Sequence, residues 1–114
     1  MELKQKDLVL LSYHFSDLKE SKIRPAIVVS NDIFNKKSKD CVMVPLTSII
    51  KENSYSIIIN HDDLSTGKLI KTSRVRVDKL FNVEKRLAIK VIGKIKDETF
   101  SKLKEAIFKI FKDG

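Results

Sequence analysis

Apolar residues fall along this chain in short runs separated by polar clusters, and the length and period of each run predict its conformation. "DLVLLSY" (7–13) reads as a first strand, followed by a loop, "HFSDLKESK", that carries no helical stripe. "PAIVVSN" (25–31) is a second strand opened by Pro25, a residue tolerated where no ladder hydrogen bond is required of it. "DIFNKKSKD" has room for no more than a helical turn. "CVMVPL" (41–46) is a third strand, ended by Pro45 and the hydroxyl pair Thr47 and Ser48, and "YSIII" (55–59) is a fourth. "NHDDLSTGK" carries turn chemistry. "LIKTSRVRVDKLFNV" alternates from Ser73 onward, which predicts one half-exposed strand with Val75 and Val77 inside and Arg74, Arg76 and Asp78 in a row outside. "LAIKVI" (87–92) is a last strand running into Gly93. From Asp97 the period changes to three or four: Phe100, Leu103, Ile107, Ile110 and Phe111 form the stripe of an amphipathic helix, with Asp97 placed to cap it. The pattern predicts a mainly β protein of five to seven short strands with a C-terminal α-helix, curled into a small barrel.

Composition narrows the partners more than the fold. With 114 residues the chain suits one core, so a single domain over 1–114 is expected. At 42% hydrophobic and 33% charged residues it has the balance of a folded chain, not a disordered tail. No run approaches the roughly 20 apolar residues that span a bilayer, and "MELKQKDLVLL" lacks the features of a signal peptide, so a cytoplasmic address and no membrane partner are expected. Cys41, the only cysteine, alternates with Met43 and reads as a core thiol. The net charge of +8 favours a polyanion, nucleic acid first and an acidic protein second. Nineteen of the 23 basic residues are lysine, a solubilising surface in its own right, so the four arginines, Arg24, Arg74, Arg76 and Arg86, say more.

The spacings of metal sites, phosphate-cradling loops and nucleophile elbows are all missing from the sequence. No metal and no cofactor are therefore expected. The two histidines, His14 and His61, are far apart and sit in loop and turn segments. What remains is a set of polar groups at strand ends, where a rigid frame can hold them against a ligand: Arg24 before Pro25, Thr47 and Ser48 after "VPL", and the row Arg74, Arg76, Asp78. Taken singly, each has a plain structural reading as a solvated side chain, a turn cap or a cross-strand ion pair.

Taken jointly, "KDLVLLSYHFSDLKESKIRPAIVVSNDIFN" and "VMVPLTSII" resemble the MazF/PemK toxin family of bacterial type II toxin–antitoxin systems. That family opens with a Gly-Asp-Ile-Val type strand, an F(S/T)D loop, an RPA-V-S-(N/D) strand and a TS strand end. The likeness runs from about Lys6 to Ser48 and more loosely through "SRVRVDKLFNVEKRLAIKVIGKI". It implies an SH3-like barrel and a homodimer. It further implies cleavage of single-stranded RNA without metal or cofactor, leaving a 2',3'-cyclic phosphate, and an acidic antitoxin partner that covers the RNA groove. Motif against motif, the catalytic arginine falls on Arg24 and its hydroxyl partner on Thr47. Some relatives use an Arg and an Asp two positions apart, as Arg76 and Asp78 stand here; with His14 these are candidates for proton transfer or a second phosphate clamp. Ser48, Asp17, Arg74 and Lys79 are candidates for RNA contact.

Attack by an internal 2'-hydroxyl needs alignment more than a protein nucleophile, so a guanidinium fork on two phosphate oxygens and a hydroxyl on a third atom suit it. A guanidinium is a poor base, and His14 or Asp78 is chemically the easier one. The chain departs from the family at "KLFNVE" (79–84), where many members read "QIRTID", so their base contacts do not transfer and sequence preference stays open. Two other functions fit the same barrel: a toxin that binds a protein target such as gyrase without cutting, and an RNA-binding module without catalysis.

Overall fold

Adjacent residues of the long apolar runs feed two different cores, one on each side of a curled sheet. The computed structural model describes residues 1–13, 22–51 and 55–113. Its strands are β1 (Asp7–Tyr13), β2 (Lys22–Val28), β3 (Asp40–Thr47), β4 (Ile57–Ile59), β5 (Leu64–Gly67), β6 (Ser73–Val75), β7 (Phe81–Glu84) and β8 (Ala88–Ile95). A short helix α1 (Asp32–Lys37) precedes β3, and α2 (Asp97–Phe111) closes the chain. The strands form one antiparallel half-barrel in the order β4-β6-β3-β2-β1-β8-β5, with β7 also paired to β3. Leu8, Ile27, Val44, Leu46 and Val75 face α2 and pack with Phe100 and Leu103. Their chain neighbours Val9, Ala26, Val28 and Met43 build a second cluster with Leu11, Cys41 and Val83 on the opposite face. A period of two inside an unbroken apolar run is what a strand covered on both faces requires.

Two expectations are corrected here. "NHDDLSTGK" is more than a turn: a 3-10 turn at His61–Asp63, boxed in by Asn60 and Asp63, leads directly into β5, which pairs with β8. Three of the four β5 residues are exposed, so its strand character rests on backbone pairing that no apolar pattern announces. The segment 69–83 is not one alternating strand. It breaks at a 3-10 turn, Val77–Lys79, because β3 offers its outer edge in two lengths: Asp40–Met43 to β7 and Leu46–Thr47 to β6. Pro45 stands between those lengths, where its missing N–H leaves no donor unmet, and its carbonyl accepts from Arg76 N–H at 2.9 Å.

Helix α2 starts and seats differently from its sequence pattern. Lys96, not Asp97, occupies the N-cap position, without a side-chain cap. Asp97 is a first-turn carboxylate that pairs with Lys6 Nζ at 2.6 Å. Asp63 fastens the helix start instead, its carbonyl accepting from Lys96 N–H at 2.8 Å and its Oδ1 from the Thr99 hydroxyl at 2.9 Å. Phe100, Leu103 and Ala106 are buried and Ile107 packs against the core, whereas Ile110 and Phe111 lie exposed past it. No helix among the described residues is long and apolar enough to cross a membrane.

Candidate functional site

The two prolines that punctuate β2 and β3 also mark where those strands part. Their register runs Val28↔Met43, Ile27↔Val44 and Ala26↔Pro45, and ends there. Two residues further along each strand stand Arg24 and Thr47, which share a face of the sheet by the strand period. Each keeps its other neighbour: Arg24 lies opposite Leu11 of β1, and Thr47 opposite Arg74 of β6. Arg24 is therefore held on a paired strand at the point where the adjoining ladder opens.

A cavity of about 700 Å³ occupies the opening, with Arg24, Thr47 and Ser48 on its wall. Leu10, Pro25, Leu46 and Ile92 give it apolar surface, and the segment from Gly67 to Lys71 closes the far side. Three lysines, Lys68, Lys71 and Lys90, join Arg24 in the lining, and among the described residues no carboxylate does. Four cations in a concave setting with no acid concentrate anions, and low-dielectric walls strengthen the effect. The Thr47 Oγ1 accepts from Ile49 N–H at 3.2 Å, which orients the hydroxyl while its own proton can donate to a ligand.

Arg74 does not line this cavity, and its burial departs from the sequence pattern. The alternating pattern put it on an exposed row, yet it is only 6% exposed, because β6 runs between β3 and β4 with Thr47 on one side and Ile58 on the other. Its Nε is buried without a hydrogen-bond partner. Such an orphaned charged donor is uncommon, and here it adjoins Thr47 in register.

The remaining candidates lie elsewhere. Arg76 and Asp78 close on each other across the 3-10 turn, Nη2 to Oδ2 at 2.6 Å and Nε to Oδ1 at 3.3 Å. The hydrogen bond from Arg76 holds the Asp78 carboxyl below its ordinary value. Neither residue lines the cavity, and nor does the exposed Lys79. His14 and Asp17 lie outside the described residues. Phe34 is exposed on α1 and does not line the cavity. Lys68, Lys71 and Lys90 were missed, since nothing in the sequence separates them from sixteen other lysines. Among the described residues no three His, Cys, Asp or Glu side chains gather as a metal would need. Cys41 is fully buried, and burial raises its thiol pKa.

Comparison with protein families matches residues 4–111 to the PemK-like, MazF-like toxins of type II toxin–antitoxin systems. The chain belongs to this family. Among solved structures, the MazF/PemK-like chain is similar to MazF of a MazE–MazF complex from Deinococcus radiodurans, with a TM-score of 0.79 at 15% identity over 97% of both chains. It is similar also to an endoribonuclease in complex with its cognate antitoxin from a mycobacterial species, at TM-score 0.78 and 17% identity over 96% of this chain and 94% of the other. A further mycobacterial endoribonuclease gives 0.76 at 19% identity, covering 97% and 92%. At these identities the likeness speaks for the fold. The search of curated proteins found no match.

Proposed function

We propose that this MazF/PemK-like protein is an endoribonuclease toxin that cuts single-stranded RNA without a metal ion and is held in check by an acidic antitoxin. The observation that carries this reading is the placement of Arg24 and Thr47 in one cation-lined cavity at the mouth of the β2–β3 opening. The scissile phosphate sits there with Arg24 forked on its non-bridging oxygens and the Thr47 hydroxyl donating to the same group. The ribose 2'-oxygen attacks phosphorus, the P–O5' bond breaks, and the products are a 2',3'-cyclic phosphate and a free 5'-hydroxyl. One proton leaves the 2'-hydroxyl and one reaches the departing 5'-oxygen. The described charged side chains of the lining, Arg24 and three lysines, are hydrogen-bond donors, so they align the phosphate and stabilise charge and do not accept the first proton. That step is assigned to His14, which follows β1 directly in the chain. Net charge of +8, and a lining in which no described residue is a carboxylate, favour an acidic antitoxin segment as the inhibitor, and a homodimer is the proposed assembly.

Incubation of the protein with a long unstructured RNA in EDTA, with mapping of the cut ends, tests this. Cutting with cyclic-phosphate termini is expected, falling by about 10²–10³ for Arg24→Ala and Thr47→Val, and by far less for Thr47→Ser, in which the hydroxyl is kept. Intact RNA, or cutting unchanged in a folded Arg24→Ala protein, overturns the reading.

A further inference from the structure

A second basic cavity lies outside the site described above. About 690 Å³ in volume, it is lined by Lys36, Lys37 and Lys39 from the α1–β3 connection and by Glu84, Lys85 and Arg86 from the β7–β8 corner. Two of these charges are spoken for: Arg86 Nε and Glu84 Oε2 pair at 2.6 Å. The Lys85 ammonium is also used, donating to the Asn35 carbonyl at 2.7 Å. The Lys85 N–H meanwhile donates to the Lys39 carbonyl at 2.9 Å. Together with the Asp40↔Glu84 register, these bonds hold the two segments against each other, so the cleft has fixed walls. Lys36, Lys37 and Lys39 are exposed and have no ion pair among the described residues. The end of α1 accounts for Lys36 and Lys37 as cations near helical carbonyls, but not for Lys39, Lys85 and Arg86.

Resting on the RNA reading above, we propose that this cleft is a second subsite that holds the phosphate backbone of the same single-stranded RNA, away from the cut and without regard to sequence. The chemistry of the lining selects phosphates. Apart from Arg86, whose fork is engaged by Glu84, the cations are four lysines, point charges without the planar fork that reads a base edge, and among the described residues no aromatic ring lines the cleft to stack a base. Met1 and Ala88 are the only apolar residues of the lining, too little to anchor the side chains of a protein partner. Continuity with the first cavity comes through β8. Ala88 lines the second cavity and Lys90 the first, two residues apart on β8 across a shift in its register with β1. The ladder of β5 on β8 ends at Gly93, with one further bond from Lys68 N–H to the Ile92 carbonyl, so among the described residues this edge from Ala88 to Val91 is open for a chain to cross.

The test is equilibrium binding to the full chain carrying Arg24→Ala, which leaves the RNA uncut, across a salt series. Replacing Lys36, Lys37 and Lys39 together by Ala flattens the slope of log K against log salt by about 0.7 per lost phosphate contact, near 2 in all, for a long unstructured RNA. At low salt its affinity falls on the order of tenfold. Binding of an oligonucleotide just long enough to fill the first cavity stays unchanged. Replacing Lys102, Lys104 and Lys109 of α2 by Ala changes net charge equally and leaves the slope for long RNA in place. An unchanged slope in the first variant overturns the proposal, as do an equal loss on the short oligonucleotide, an equal effect of the α2 variant, and a polyglutamate peptide that binds the cleft in preference to RNA. Failure of the nuclease reading looks different: a protein that binds long RNA through these lysines and never cuts it sinks that reading and leaves the subsite standing.

Discussion

Gly67 closes the wall of the first cavity, and its replacement by Ala is the sharpest test of how that wall is built. Its φ is +83°, in the left-handed region, where an L residue pays about 1–2 kcal/mol. A Cβ there would lie 2.0 Å from the Ile92 carbonyl oxygen and 2.4 Å from Gly93 Cα, both backbone atoms of β8 that no rotamer change can move. Relief requires β5 to draw away from β8 by more than an ångström. That would break the 3.3 Å bond from Lys68 N–H to Ile92, at about 1 kcal/mol. The sum is about 2–3 kcal/mol for Gly67→Ala. Gly93→Ala is the control, because its Cβ would meet the Thr66 carbonyl at 2.7 Å and Leu64 Cδ1 at 3.3 Å without a left-handed backbone, for about 1–2 kcal/mol. Urea unfolding measures both as a shift in midpoint at constant slope. A Gly67→Ala protein within about 0.5 kcal/mol of wild type, or one less perturbed than Gly93→Ala, refutes the reasoning.

Arg74→Met is expected to stabilise the fold by about 1–3 kcal/mol, since it removes a buried guanidinium whose Nε has no partner and keeps much of its volume. A destabilised variant in thermal unfolding would refute this. Asp78 has a lowered pKa, caused first by its hydrogen bond from Arg76, so its contribution is present above the unfolded carboxylate value near 3.9 and is lost as pH falls through the lower folded value. With side chains 31% and 37% exposed the pair is screened, and Asp78→Asn should flatten the acid limb of stability against pH by less than about 1 kcal/mol; an unchanged limb counts against the pairing. Cys41, fully buried with a raised pKa, should react with a thiol reagent at pH 8 only as fast as the protein unfolds, and rapid labelling of the native protein would contradict its placement.

Legibility in the sequence followed how much of each feature is written in side chains. "DLVLLSY", "PAIVVSN" and "CVMVPL" were readable as strands because their apolar runs are short and bounded by turn residues, and the structure adds only that both faces are covered. Strand β5 was unreadable because backbone bonds to β8 hold it and little apolar surface does. The break in 69–83 was hidden for a related reason. Val75 and Val77 are both buried, as one alternating strand predicts, yet Val77 reaches its place through a 3-10 turn set by the two-part edge of β3. Residue pattern reports the burial of the two valines, and here two backbone paths give it.

The candidate site divides along the same line. Arg24 and Thr47 stand out in sequence because each sits within two residues of a proline. Neither proline can donate a backbone hydrogen bond, so both suit the place where a ladder changes partner or stops. The opening that follows is the cavity, so the punctuation that makes the residues conspicuous also creates the space they line. The lysines opposite arrive from a segment with no such mark, and Arg74 misleads because alternation assigns a face without saying whether another strand lies over it. Burial of Arg74 depends on β4 and β3 flanking β6, a long-range pairing that local sequence does not encode.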